Sequence, residues 1–316
     1  MVPIIRSQAG RPRRGLPAAV FLLLLVSGPA HPSLSADHFP LEIRDDRGVA
    51  VRLAAPPRRV VSLAPSLTEI VFLLGKGELL AGATRFCNHP AASSSLPRIG
   101  GMADPDVERI VSLSPDLVLC TTDGNPRHRV EALEEMGIPC FAAAPQDLPG
   151  VLATVERLGA LLGDAARGRA EAAALSRRMD AARAAAARAG GDAPRALFVV
   201  SVSPVIVAGE GTFMDELLRL AGARNAARSF RGRYPRLSVE DLVAARPEAI
   251  FIAGMGSSER FAPEVTAWKE VPAFRDGAVF QVDGDLVTRP GPRLVTALEK
   301  ISEALAGLGR RRGGGR

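Results

Sequence analysis

Residues 164–189 read DAARGRAEAAALSRRMDAARAAAARA, and this stretch decides how the rest of the chain is arranged. Alanine and arginine dominate it, both residues that lose little on entering a helix, and Leu175 and Met179 stand four apart on one face. The composition predicts one helix of about 26 residues, about 39 Å long. A flexible linker would draw instead on glycine, serine and proline. Strand-like patterns stop between about Leu148 and Gly190, so the segment reads as a stiff helical connection between two bodies.

On its N-terminal side the chain begins with a hairpin-like start, LEIRDDRGVAVRL (41–53), and then alternates. Strand RRVVSLA (58–64) leads into a helix over Ser66–Leu74 that stops at Gly75. Strand ELLAGAT, the loop TRFCNHPAASSSLPRIGGMADP (84–105), helix DVERIVSL, strand DLVLCT, helix NPRHRVEALEEMG and strand IPCFAA follow. Beyond Gly190–Gly191 the alternation resumes with strands RALFVVS and VIVAG, helices over Phe213–Leu220 and SVEDLVAA, strands AIFIAG and AVFQV, and a final helix PRLVTALEKISEALAGL. Such alternation implies sheets that are largely parallel with helices on their faces. The expected fold is α/β, two Rossmann-like lobes of mainly parallel sheet joined by one long helix. The expected boundaries are an N-terminal lobe at 37–147, a helical linker at 148–190 and a C-terminal lobe at 191–308. A short repeat supports two related lobes: Val107–Val111 (VERIV) followed by Pro115–Asp116, and Val239–Val243 (VEDLV) followed at the same spacing by Pro247–Glu248.

The ends of the chain read differently. Residues 1–36 carry four arginines and no acid, then the apolar run Leu16–Val26, then small residues at Gly28–Ala30 and Ser35–Ala36. That order is the pattern of a secretory signal peptide, and the apolar run is short for a membrane span. The formal charge of +6 falls to +2 without the leader, and to −2 for residues 37–309 once the arginines of the glycine-rich tail at 309–316 are also set aside. The tail is expected to be disordered. Nothing in this balance marks a nucleic-acid surface.

Three cysteines in an exported chain leave at least one thiol without an intramolecular partner. Cys120 and Cys140 close neighbouring strand-like segments, either bridged or as two buried free thiols. Cys87, Asn88 and His89 lie side by side in the loop and raise the question of a metal or thiol site. A zinc site needs further ligands at suitable spacing, and the other histidines, His31, His38 and His128, fall in the leader, at its edge and on a helix. A thiol enzyme needs a histidine base paired with Cys87 in space, and closeness in sequence does not by itself supply that pairing. An exported metal-dependent or thiol enzyme is therefore a remote alternative, and no GxSxG, HExxH or phosphate loop occurs.

PRRVVSLAPSLTEIVFLLG (57–75), the loop to GGM, DVERIVSLSPDLVL, the long middle helix and SVEDLVAARPEAIFI together resemble the periplasmic substrate-binding proteins of metal-chelate importers. The resemblance covers essentially residues 57–308, and within the family it points to binders of cobalt corrinoids. It implies a non-enzymatic, monomeric receptor with no cofactor of its own, which takes a corrinoid such as cobalamin or cobinamide in the periplasm. The receptor delivers it to the membrane subunits of an ABC importer; haem or a ferric siderophore is the alternative ligand. Ligand is expected in the cleft between lobes, beyond the carboxyl ends of the strands. Phe86, Cys87, Asn88 and His89 of the loop are expected to line it, with Pro65 and Ser66 on the rim. Phe86 offers an apolar face and Asn88 an amide; Cys87 is most simply a small buried side chain, and His89 is either a solvent-facing residue or a ligand to the chelated metal. By position in the family pattern, Tyr234 is expected to stack and Arg289 to recognise amide or carboxylate groups. Met102 stands where cobalamin binders of this type can place an aromatic residue. Glu108 and Glu240, at matched positions in the repeat, either favour their helices electrostatically or, as the resemblance implies, meet arginines on two importer subunits.

Overall fold

The computed structural model describes residues 38–188, 192–254 and 268–313. The leader and the last three residues of the tail lie outside them.

The hairpin of β1 (Leu41–Arg44) and β2 (Ala50–Leu53) is antiparallel. The N-terminal lobe then runs β3 (Val60–Ser62), α1 (Pro65–Leu73), β4 (Leu80–Ala83), α2 (Val107–Ser112), β5 (Leu117–Thr121), α3 (Arg127–Glu135) and β6 (Cys140–Ala143). Its four strands form an all-parallel sheet in the order β4-β3-β5-β6. Strands β3 and β6 are buried throughout, as expected for a parallel sheet covered on both faces. The hairpin is tied to the edge strand β6: Asp46 N–H donates to Ala142 O, and Ala142 N–H donates to the Asp45 carboxylate.

Two helices, not one, cross between the lobes: α4 (Leu148–Leu161) and α5 (Ala165–Arg188) pack against each other as a hairpin. The predicted long helix is α5, 24 residues from Ala165. Gly163 turns the chain between them with φ +75°, a left-handed conformation that favours glycine. The two helices approach at Gly159 and Gly168, where a Cβ on Gly159 would stand 2.5 Å from the Gly168 Cα.

The C-terminal lobe comprises β7 (Arg195–Val202), β8 (Val205–Val207), α6 (Phe213–Leu220), β9 (Arg224–Asn225), α7 (Val239–Ala245), β10 (Ala249–Gly254), α8 (Pro272–Arg275), β11 (Val279–Asp283), α9 (Gly284–Thr288) and α10 (Leu294–Gly313). The strand order is β11-β10-β7-β8, with β9 also on β7. All pairs are parallel except the β7–β8 hairpin. Phe198, Phe251 and Phe280 stack across three adjacent strands at 5.3 and 5.2 Å between ring centroids. Trp268 is buried against Phe274 and belongs to this core. Helix α10 runs through residues 309–313, so the helix enters the stretch expected to be a disordered tail.

The short repeat has the same geometry in both lobes. After α2 and after α7 the chain passes through a non-glycine left-handed residue, Ser114 (φ 47°) and Arg246 (φ 46°), and then a proline. The acid that follows binds the start of its own lobe's first parallel strand in each case. Asp116 accepts from Arg58 and Arg59 N–H at β3, and Glu248 accepts from Arg195 N–H at β7.

Cys120 and Cys140 are free and buried on β5 and β6. Burial pushes the Cys120 thiol up to about 12 and raises Cys140 as well, so both remain protonated side chains of the core cluster around Leu63 and Leu133.

Candidate functional site

The loop after β4 is built around Cys87. Its buried thiol lies between the hydroxyls of Thr68 (3.1 Å) and Thr84 (3.2 Å). Its carbonyl accepts from Ser93 Oγ and Arg98 Nη1, and the same Arg98 nitrogen reaches Thr84 O. Cys87 therefore holds the turn from inside and offers no surface to a ligand, and the expectation that its side chain lines the cleft is corrected to this supporting place. The residues on either side are turned outward: Phe86 is 49% exposed and Asn88 is exposed. Arg85 lies over the Phe86 ring at 5.2 Å and pairs with Asp104 through Nη2.

Asn88 meets the other lobe. Its Nδ2 donates to Asp285 Oδ2 at 2.8 Å, and its Oδ1 accepts from Arg289 Nη1 at 2.7 Å. Arg289 Nη2 donates to Phe86 O at 3.2 Å and stands 2.7 Å from the Asp285 carboxylate. Below this triangle, Glu69 of α1, with a side chain 2% exposed, accepts from Arg293 Nη2 at 3.0 Å and Arg289 Nη1 at 3.4 Å. Phe86 and Asn88 follow the carboxyl end of β4, while Asp285 and Arg289 follow that of β11. The cluster thus forms where strand ends of the two sheets meet, the usual place for a ligand in open α/β sheets. Its charges balance, with two arginines against two carboxylates.

Of the predicted residues, Phe86, Asn88 and Arg289 are brought together here. Pro65 and Ser66 are buried beneath, at the first turn of α1, and a Cβ on Gly291 would come within 3.2 Å of the Ser66 Cβ. They support the site and are not its exposed rim. His89 lies beside Asn88 and lines an adjoining hollow of about 280 Å³ with Phe72, Leu175 and Arg178, which borders the cluster through Glu69 and Arg293. No group of three or more possible metal ligands occurs among the described residues. Met102 is half-buried, and its methyl occupies the space over Gly124. Tyr234 is 52% exposed on a segment held along β8 by Gly209 N–H to Arg233 O and Val207 N–H to Pro235 O. Among the described residues, neither Met102 nor Tyr234 takes part in the hydrogen bonds and ion pairs of the polar cluster.

Sequence reasoning missed Glu69, Asp285, Arg293 and Asn125. Asn125 joins three strand ends and loops, accepting from Thr121 N–H and donating to Leu63 O and Met102 O. Its local signal was the Asn-Pro pair after a strand, which read as a helix start. Glu69 had a signal too, since a charged residue lay in the otherwise apolar helix SLTEIVFLL.

Glu108 and Glu240 are both exposed in the first turns of α2 and α7. The caps of these helices come from other residues. Asp106 accepts from Arg109 N–H, and Ser238 and Asp241 form a reciprocal capping box. Hydrogen bonds from the Ser238 backbone and hydroxyl hold the Asp241 carboxyl below its usual range. Neither Glu108 nor Glu240 has a side-chain hydrogen bond or ion pair among the described residues.

A vitamin B12-binding protein of Vibrio vulnificus is 28% identical over 261 residues, 82% of this chain and 94% of its own. Among solved structures, the periplasmic vitamin B12 binding protein of Vibrio cholerae superposes with a TM-score of 0.71 at 25% identity, covering 80% of this chain and 98% of that one. A periplasmic haem-binding protein from Pseudomonas aeruginosa superposes with a TM-score of 0.72 at 30% identity over 78% of this chain and 92% of its own. The family model for periplasmic binding proteins matches residues 60–286. With its two lobes, helical connection and strand-end junction, the chain belongs to the periplasmic binding protein family.

Proposed function

We propose that the protein is a periplasmic receptor that captures a corrinoid, cobalamin or cobinamide, between its lobes and passes it to an inner-membrane ABC importer. The observation that carries this reading is the junction itself: an exposed aromatic, Phe86, beside a charge-balanced polar cluster contributed by both lobes. A corrinoid presents a flat apolar ring with neutral amides at its edge, and such a site offers a counterpart to both. Relatives named for vitamin B12 binding span most of the chain and support the same ligand. Haem is the second reading, favoured by the equally close fold of the haem-binding neighbour. An enzymatic role for Cys87 finds no support in a thiol enclosed by two threonine hydroxyls.

In this reading residues 1–36 direct export, the receptor acts as a monomer, and the corrinoid is cargo and not a resident cofactor. Tyr234 supplies a second aromatic surface, on the C-terminal lobe. Glu108 and Glu240 dock on the importer's two membrane subunits. Titration of the purified protein with cobalamin, cobinamide, haem and ferric siderophores by calorimetry tests the ligand. Saturable binding of a corrinoid is expected, and binding of haem or a siderophore alone would overturn the assignment.

A further inference from the structure

We propose that the hollow between α1, α5 and α10 is a second binding site, for a small hydroxylated aromatic carboxylate, and that its occupant bears on all three elements at once. The inference goes beyond the receptor reading and does not depend on which cargo the protein carries.

The hollow measures about 280 Å³, and a cavity of about 150 Å³ takes a benzene ring. A ring with a short side chain therefore fits it. Phe72 and Leu73 of α1, Leu175 of α5 and Pro292 before α10 give it apolar walls against which a ring can pack. Its polar groups fall into two sets.

The first set is the ion pair of Glu69 and Arg293. Glu69 Oε1 accepts from Arg293 Nη2 at 3.0 Å, but Glu69 Oε2 and Arg293 Nε are buried with no hydrogen-bond partner among the described residues. The Glu69 side chain is 2% exposed, so its open oxygen carries a free-energy cost that a donor in the hollow would relieve. A hydroxyl both donates and accepts, and one such group answers the open carboxylate oxygen and the open guanidinium nitrogen together. The second set is Arg178 and His89. Glu299 holds Arg178 through Nε and Nη2, and Thr296 Oγ1 also accepts from Nη2. Nη1 is left without a partner among the described residues, and the exposed His89 ring is likewise unengaged there. Two open donors lining one hollow suit a carboxylate. The residues expected to meet the cargo, Phe86, Asn88, Tyr234 and Arg289, do not line this hollow. A molecule seated in it touches the first helix of the N-terminal lobe, the connecting helix and the last helix of the C-terminal lobe, and so braces their junction.

The probe is 3-(4-hydroxyphenyl)propionate, compared by calorimetry with 3-phenylpropionate, which lacks the hydroxyl, and with 3-(4-hydroxyphenyl)propanamide, which lacks the charge. The purified protein is expected to bind the hydroxy acid with a Kd of about 1 mM or tighter. Each of the other two should bind about tenfold more weakly, the worth of one hydrogen bond to a charged group. Arg178→Gln is expected to bring the acid and its amide to within about twofold of each other, a ratio that does not depend on the folded fraction of the preparation. Thr296→Phe puts a ring into the hollow and should weaken the hydroxy acid by about tenfold or more. The hydroxy acid should also raise the thermal midpoint of the wild type more than that of Thr296→Phe. No saturable binding up to about 10 mM, equal wild-type affinity for the hydroxy acid and either analogue, a preference for the acid that survives Arg178→Gln, or an affinity unmoved by Thr296→Phe would each overturn the proposal.

Discussion

Glu69 places a carboxylate under the junction where water cannot solvate it, and Arg289 and Arg293 of the opposite lobe supply its neutralising charge. Removing one member of such a buried group leaves its partners uncompensated, which costs far more than the group contributes relative to an apolar replacement. Glu69→Ala is therefore expected to destabilise the protein by about 3 kcal/mol, read as a lowered urea midpoint with an unchanged slope; a change within about 0.5 kcal/mol would mean that the ion pairs are dispensable. Such residues are the part of the site least visible in the sequence. Asn88 and Asp285 are 197 positions apart, and Glu69 and Arg289 are 220 apart. No spacing rule spans such distances. Asn88 was legible as a polar residue in a loop following a strand and Arg289 by its position in the family pattern, whereas their relation to each other arises only when the lobes meet. Cys87 shows the opposite case, for its neighbours in sequence suggested chemistry while its neighbours in space, Thr68 and Thr84, give it a packing role.

At the scale of elements the local patterns carried much further, because each strand and helix is specified by nearby residues. The helix over 213–220 begins and ends where its apolar spacing and Thr212 cap place it, and the alternation of apolar strands with helices fixed the parallel sheets. What escaped was α4 as a partner to α5. Glycines at 159 and 168 look like weak points in helical segments, yet they are where the two backbones come together. Helix α4 is further tied to the C-terminal lobe, since Leu148 N–H donates to Glu216 of α6. A methyl group at Gly159 has to displace backbone and not a flexible side chain. Gly159→Ala is thus expected to destabilise by about 1–3 kcal/mol, although alanine is the better helix former. Thermal unfolding decides the sign: a raised midpoint would show that the helices can separate enough to admit the methyl group.

The whole molecule repeats one plan in two lobes, and the repeat places Glu108 and Glu240 at matching points. Their helices are capped without them, by Asp106 in one lobe and by Ser238 with Asp241 in the other. A first-turn carboxylate still gains about 0.3–1 kcal/mol from the helix dipole, and this modest term is the alternative to docking. Two exposed acids, one per lobe, with no side-chain partner among the described residues, suit the proposed docking on two membrane subunits at once. Each contact alone orients the receptor poorly, while both together raise the effective concentration of the second once the first has formed. Neither acid takes part in the hydrogen bonds and ion pairs that join Phe86, Asn88, Asp285 and Arg289, so ligand capture and delivery should separate experimentally. Glu108→Gln with Glu240→Gln is expected to leave ligand affinity within about twofold and stability within about 1–2 kcal/mol. Ligand uptake into vesicles containing the importer should fall by tenfold or more at limiting receptor, about 1.4 kcal/mol of lost docking free energy. Each single variant should fall between the double variant and the wild type, and salt should weaken wild-type delivery more than that of the double variant. Delivery by the double variant at the wild-type rate would leave the two glutamates with their helix-dipole role alone.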